Sequence, residues 1–173
     1  MTVAAGRPTP DRLYEILDGV KDPEVPVLSV VELGVVRDTR VAEDGAVEVS
    51  ITPTYSGCPA MHAIEADIVA ALEEAGYADV RVRTVFSPAW TTDWIGEEAR
   101  EKLRAYGIAP PGKRPSGEDE LIPLLRRGAP EVVPCPYCGS ADTTLKSEFG
   151  STSCKSIRFC TSCLQPFEQF KAI

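Results

Sequence analysis

Histidine is almost missing from this 173-residue chain, with His62 its single copy. That scarcity excludes a diiron centre built from helical E-x-x-H motifs, and it leaves at most one candidate for a Cys-His dyad. Long apolar runs are missing as well: no stretch approaches the roughly 18 residues that a membrane span requires. Met1 to Pro10 has neither an apolar stretch nor a basic leader, so it reads as a short loose tail. A soluble, cytoplasmic protein without a membrane partner is expected. Positive charge is in deficit, with 18 Lys and Arg against 26 Asp and Glu. No G-x-G-x-x-G loop is present to hold a dinucleotide.

The deficit is not spread evenly. Residues 1 to 108 hold ten basic and nineteen acidic side chains, residues 109 to 130 hold four and three, and residues 131 to 173 hold four and four. An acidic first part repels phosphate backbones and a neutral last part does not attract them, so protein partners are expected and nucleic acid is not. The length suits one ordinary domain with a small appended module.

Against these absences stand six cysteines. In a reducing compartment they point to metal or thiol chemistry before disulfides. Cys135-Pro136-Tyr137-Cys138 and Cys160-Thr161-Ser162-Cys163 are two C-x2-C pairs separated by 21 residues. Two intervening residues let both thiolates of a pair face one centre, and two such knuckles complete a tetrahedral four-thiolate site. Gly139 supports the tight turn, and Thr143 to Phe149 and Lys155 to Phe159 have the composition of strands. A zinc ribbon over residues 131–173 is expected, holding one structural Zn with no open position for substrate. Rubredoxin-like iron binding uses the same ligands and stays open.

The first part, 1–108, reads as an α+β domain. Thr9 caps a helix with Pro10 in its first turn and Leu13, Ile16, Leu17 and Val20 on one face. Val35 to Val41 and Val47 to Thr52 form a hairpin about Asp44-Gly45, with Glu48, Ser50 and Thr52 on a wet face. A second helix starts at Cys58-Pro59, buries Met61, Ile64, Ile68, Leu72 and Ala75, and ends at Gly76. Val80 to Phe86 is a third strand, and Asp93 caps a third helix that Gly107 ends. The order αββαβα implies a small sheet with helices on one face. Five prolines and three glycines mark 109–130 as a linker, with a possible helical turn at Leu121 to Arg127.

Other polar residues each allow two readings. Cys58 stands where a strand gives way to a helix start, where positive partial charge lowers a thiol pKa, so it is either a reactive or metal-receiving thiol or a small core residue. His62 reads as a surface side chain without an orienting third residue, so no catalytic residue is assigned. Cys154 is a buried ribbon residue or a thiol facing a partner. Trp90 and Trp94 are an interface anchor or core plugs. Asp22, Glu24 and Glu32 are paired carboxylates for acid-base work or iron, or a solvated acidic loop, and without an E-x-x-H motif the loop is the expected reading.

Asp22-Pro23-Glu24 and the T-x5-C-P run from Thr52 to Pro59 resemble the marks of a family associated with iron-sulfur cluster assembly. Together with Ser87 to Trp94, Phe149 to Lys155 and the zinc ribbon, they make the chain from about residue 9 onward look like the D-subunit family of the phenylacetyl-CoA epoxidase (ring-oxygenase) system. That resemblance implies an accessory, non-catalytic role in phenylacetate catabolism. Cys58, with Asp22 beside it, would pass a transient iron or iron-sulfur cluster to other subunits of the system. A thiol enzyme using Cys58 and a zinc-ribbon module binding protein or nucleic acid are the competing readings.

Overall fold

The computed structural model describes residues 8–55, 57–112 and 132–173. Two compact units divide it, Met1–Ala99 and Arg100–Ile173. In chain order the elements are α1 (Pro10–Leu17), β1 (Val36–Val41), β2 (Val47–Ile51), α2 (Met61–Glu74), β3 (Val80–Thr84), α3 (Glu97–Tyr106), β4 (Ile108–Ala109), β5 (Thr143–Ser147), β6 (Lys155–Cys160) and β7 (Pro166–Phe170).

The Thr9 hydroxyl accepts the Arg12 N–H at the start of α1, with Pro10 in the first turn where no N–H is needed. Leu13 and Leu17 are fully buried. The helix stops at Leu17, short of the expected stripe, yet Val20 is buried from the following loop. β1 and β2 are antiparallel around a turn in which the Asp44 carboxylate accepts the Ala46 N–H at 3.2 Å. α2 buries Ile64, Ile68 and Leu72 and ends before Gly76, whose φ of +98° takes the left-handed conformation that a side chain resists. The chain then returns as β3, parallel to β2, giving the sheet order β1-β2-β3.

Being central, β2 has a drier outer face than its alternation implies. Ser50 and Thr52 are both buried, and the Arg83 Nε–H donates to the Ser50 hydroxyl at 3.1 Å. The helix expected from Asp93 also differs. Thr91 caps a single 3-10 turn, Thr92–Trp94, and α3 begins only at Glu97 because Ile95 turns extended.

Trp90 is a plug of the first unit, whereas Trp94 is half-buried. Trp90 is 5% exposed, and its indole N–H donates to the Leu33 carbonyl at 2.9 Å. The Arg37 guanidinium lies 3.5 Å above the Trp94 ring. Gly34, at φ +73°, passes so close that a Cβ there would sit 3.1 Å from the Trp94 Cβ.

The second unit is a four-stranded sheet of order β4-β7-β6-β5. Its core gathers Ala109, Val133, Cys135, Cys160 and Phe167, with Cys163 against them. β7, with its polar alternation, and the two-residue β4 carry little sequence signal. Ile108 and Ala109 pair with Glu168 and Gln169, so the sheet draws in residues on both sides of the expected boundary after residue 108. Most of the expected linker 109–130, including Leu121 to Arg127, lies outside the described residues. Glu168 pins the β5–β6 loop, accepting the Ser151 N–H at 2.7 Å and lying 3.2 Å from the Lys155 ammonium. Burial alone would raise the Glu168 pKa, but the Ser151 donors and the Lys155 charge outweigh it and hold the carboxyl below its usual range. Cys154 is buried in the ribbon, its sulfur 3.0 Å from the Thr152 hydroxyl.

One buried polar atom among the described residues is unsatisfied. The Thr39 hydroxyl, on β1 opposite the buried Val49, has no hydrogen-bond partner. An orphaned buried hydroxyl costs about 1–3 kcal/mol. Thr39→Val is therefore expected to raise the urea midpoint by a stabilisation of about 1 kcal/mol or more, with an unchanged denaturant slope. An unchanged or lowered midpoint would show that the hydroxyl is satisfied in solution.

Candidate functional site

The four paired cysteines converge. Their sulfurs all lie within 4.8 Å of one another, with 3.7 Å between Cys135 and Cys163 and 3.6 Å between Cys138 and Cys160. Metal-sulfur bonds of about 2.3 Å in a tetrahedron put the sulfurs about 3.8 Å apart, so the set fits one zinc-sized ion and is too open for disulfides.

The knuckles are built alike. The Cys135 N–H donates to the Ser140 carbonyl at 2.9 Å, and the Cys160 N–H to the Gln165 carbonyl at 3.0 Å. Backbone N–H groups of Ser140 and Gln165 point at the sulfurs of Cys138 and Cys163. The hydroxyls of Ser140 and Ser162 meet at 2.7 Å and tie one knuckle to the other. Each turn needs a left-handed residue after its second cysteine. The first supplies Gly139 at φ +74°, while the second supplies Leu164 at φ +60°.

These sulfurs bear on one another's protonation. The Cys163 N–H draws Cys160 down to about 7, whereas desolvation and the neighbouring sulfurs push Cys163 up to about 12. A divalent cation removes that conflict by neutralising the thiolates together.

A second site forms at one end of the first sheet, and strand direction explains it. β2 ends at Ile51 where antiparallel β1 begins at Val36 and parallel β3 ends at Thr84. The segment before β1, the loop after β2 and the chain after β3 therefore meet. The Thr52 N–H donates to the Val35 carbonyl at 2.9 Å and the Val85 N–H to the Ile51 carbonyl at 2.8 Å, which fastens the three together.

Asp22 organises the first of these segments. Its Oδ1 accepts the N–H groups of Glu24 and Val25, both at 2.8 Å, and its own N–H donates to the Leu28 carbonyl. Pro23 loses nothing there, since the bonds skip its position. Asp22 is 5% exposed and Glu32 accepts the Ser29 N–H at 2.9 Å, so the expected solvated acidic loop is instead an ordered, partly buried turn.

Cys58 lies in the second segment, half-buried and ahead of Ala60, the residue that caps α2. It thus precedes the first turn instead of opening it. Burial pushes its thiol up, and Glu24 and Asp22 add to that, outweighing the Ala60 N–H and the Thr54 side chain, which favour the thiolate. The expected lowering by the helix end is overturned by burial and by the neighbouring carboxylates. Thr54, itself buried, is the hydrogen-bonding neighbour of Cys58 that sequence reading did not single out. His62 is exposed. Among the described residues, Cys135, Cys138, Cys160 and Cys163 are the one group of three or more potential ligands close enough to share a metal, and Cys58, Asp22 and Glu24 do not form another. No helix of the described residues is long and apolar enough to cross a membrane.

Known proteins match both sites. Residues 10–84 fit the family model described as iron-sulfur cluster assembly protein, and residues 123–171 fit the PaaD zinc beta ribbon domain. A protein of Escherichia coli named as the D-subunit of 1,2-phenylacetyl-CoA epoxidase is 43% identical over 96% of this chain and 94% of its own length. An Fe-S protein maturation auxiliary factor of Porphyromonas gingivalis is 35% identical over 55% of this chain and 90% of its own. The crystal structure of a domain of unknown function, DUF59, from Bacillus anthracis is similar with a TM-score of 0.50 and 28% identity, covering 54% of this chain and 89% of that one.

Two measurements test this geometry. The alkylation rate of Cys58 in the metal-loaded protein, followed against pH, should have its midpoint above the ordinary thiol value of about 8.5. Thr54→Val should move it higher and Thr54→Ser should not; a midpoint below the ordinary value would contradict the site as described. At the second knuckle, Leu164→Gly should be more stable than Leu164→Ala by roughly 1 kcal/mol, the reverse of the usual order, because only glycine escapes the left-handed penalty.

Proposed function

The chain belongs to the D-subunit family of phenylacetyl-CoA epoxidase, and from that premise we propose that it is a non-catalytic maturation component which passes iron or an iron-sulfur cluster to the oxygenase or reductase subunits through Cys58. The observation that carries this reading is the position of Cys58 at a sheet end beside Asp22 and Glu24, inside the segment that fits the iron-sulfur assembly family. The maturation factor matched over 55% of the chain supports the accessory role in iron-sulfur assembly.

The electrostatics suit a carrier better than a nucleophile. A thiol enzyme needs its cysteine ionised at working pH, and here burial and two carboxylates favour the protonated form. The same carboxylates favour an incoming cation. Cargo iron arriving at Cys58 would reverse the balance: the Asp22 and Glu24 charges would then stabilise the site, and the thiol would give its proton to solvent as sulfur binds metal. Ala60 and Thr54 are placed to support the sulfur once it carries charge. Asp22 holds the loop so that its carboxylate stays near Cys58.

The ribbon has a separate task in this reading. Zinc held by Cys135, Cys138, Cys160 and Cys163 supplies folding free energy to a small module in which Cys135 and Cys160 themselves belong to a buried apolar cluster.

Producing the epoxidase system with Cys58→Ala tests the assignment. One zinc per chain should remain, while iron in the partner subunits and epoxidase activity both fall; full iron loading with the variant would defeat the proposal. Asp22→Asn should leave zinc content unchanged and reduce iron loading less than Cys58→Ala does.

A further inference from the structure

We propose that the four-cysteine site is coupled to the end of α3, so that metal in the ribbon keeps residues 103–109 folded and metal loss releases them, with Tyr137 and Gly107 as the contact that transmits the change. The inference rests on the zinc reading of the ribbon and is independent of the carrier role of Cys58. Its starting point is a close approach. A Cβ built at Gly107 would stand 2.8 Å from the Tyr137 Oη, 3.1 Å from its Cε1 and 3.2 Å from its Cζ, so the ring lies against the backbone where α3 ends. Glycine is required there twice over, because Gly107 also takes φ +94° as its N–H donates to the Arg104 carbonyl at 3.1 Å.

The metal ligands place Tyr137. It stands between Cys135 and Cys138 in the first knuckle, and the Gly139 N–H closes that turn on the Cys135 carbonyl at 2.8 Å. The ring is 58% exposed, so burial does not fix it. Its position follows the turn, and the turn follows the thiolates that share the ion. The residues after Gly107 add a second link. Ile108 and Ala109 pair with β7, and Ala109 shares a buried cluster with Cys135 and Cys160, one ligand from each knuckle. The Arg100 guanidinium donates to the Pro111 carbonyl at 2.6 Å and closes the chain back on α3. All of these ties lie within the unit Arg100–Ile173, and so does Leu103, the fully buried side chain of the last turns of α3.

Little in the segment itself would keep it folded without them. α3 has ten residues, six of them charged, and isolated helices shorter than about 12–15 residues are marginal in water. β4 is two residues long and owes its strand character to its partner. Without a cation, four sulfurs within 4.8 Å of one another lose the charge that holds them together, the knuckles part, and the support for Gly107 and Ala109 goes with them. Such coupling is reciprocal, so strain introduced at Gly107 must weaken metal binding.

The test uses the full-length chain under reducing conditions, loaded with zinc and then stripped with a chelator, with amide hydrogen exchange as the first readout. Exchange at 103–109 should quicken by about tenfold or more on zinc removal, while the amides of Ile68 to Leu72 in α2 keep their protection. With zinc bound, Tyr137→Ala should quicken exchange at 103–109 by about threefold or more. Zinc affinity, measured by competition with a chelating dye, gives the second readout. Gly107→Ala should lower it by about threefold more when Tyr137 is present than in the Tyr137→Ala background, the left-handed penalty being common to both. Unchanged exchange at 103–109 in the zinc-free chain, an equal loss of protection in α2, exchange indifferent to Tyr137→Ala, or equal costs of Gly107→Ala in the two backgrounds would each overturn the coupling. A chain that takes up no zinc would instead overturn the metal reading on which the coupling rests, and zinc content measured beforehand separates the two failures.

Discussion

The parallel pairing of β2 with β3 is the constraint on which the first unit depends. Two parallel strands cannot be joined by a tight turn, so the chain must leave β2, cross over as a helix and re-enter. That requirement puts a loop and a helix start beyond Ile51, and it puts the exit of β3 beside them. The hairpin with β1 adds the third segment, because an antiparallel neighbour begins where its partner ends. The Asp22 turn, the loop that carries Cys58 and the exit of β3 at Val85 come from stretches far apart in sequence, yet they meet at one end of the sheet for reasons of strand direction alone.

The ribbon follows a different logic. Its sheet is knitted by β6 and β7, but the described core is small and contains two of the metal-binding cysteines themselves. A metal there acts as a cross-link between Cys135 and Cys138 on one side and Cys160 and Cys163 on the other. Around it the backbone repeats a single turn twice, with N–H groups aimed at sulfur, so most of the second sphere comes from main chain.

How far the sequence reveals this depends on the range of the interactions. The cysteine knuckles are legible because their geometry is local and two residues of spacing decide it. The stripe of Ile64, Ile68 and Leu72 is legible because helical periodicity is local too. Cys58 is legible as a position but not as a chemical state. The helix-end argument lowers its pKa, whereas the folded chain raises it through burial and through Glu24 and Asp22, more than thirty residues away in sequence. Asp22 reads as a surface acid until the N–H groups of Glu24 and Val25 turn it inward. β4 hides because two residues beside a proline-rich stretch have no periodicity to detect, and their strand character comes entirely from pairing with β7. Trp90 stays undecided in sequence because its hydrogen bond to the Leu33 carbonyl joins residues 57 positions apart.

The unequal knuckles have a kinetic consequence. Gly139 sits in the left-handed region at little cost, while Leu164 is held there with its side chain 67% exposed and in no position to repay the strain by packing. When the site opens, relaxation of Leu164 lowers the barrier for the turn of Cys160 and Cys163 and not for its counterpart. Metal would then leave by a fixed order of detachment, first from the later pair of cysteines and last from Cys135 and Cys138, so a chelator would meet a half-released ion still held by the earlier turn.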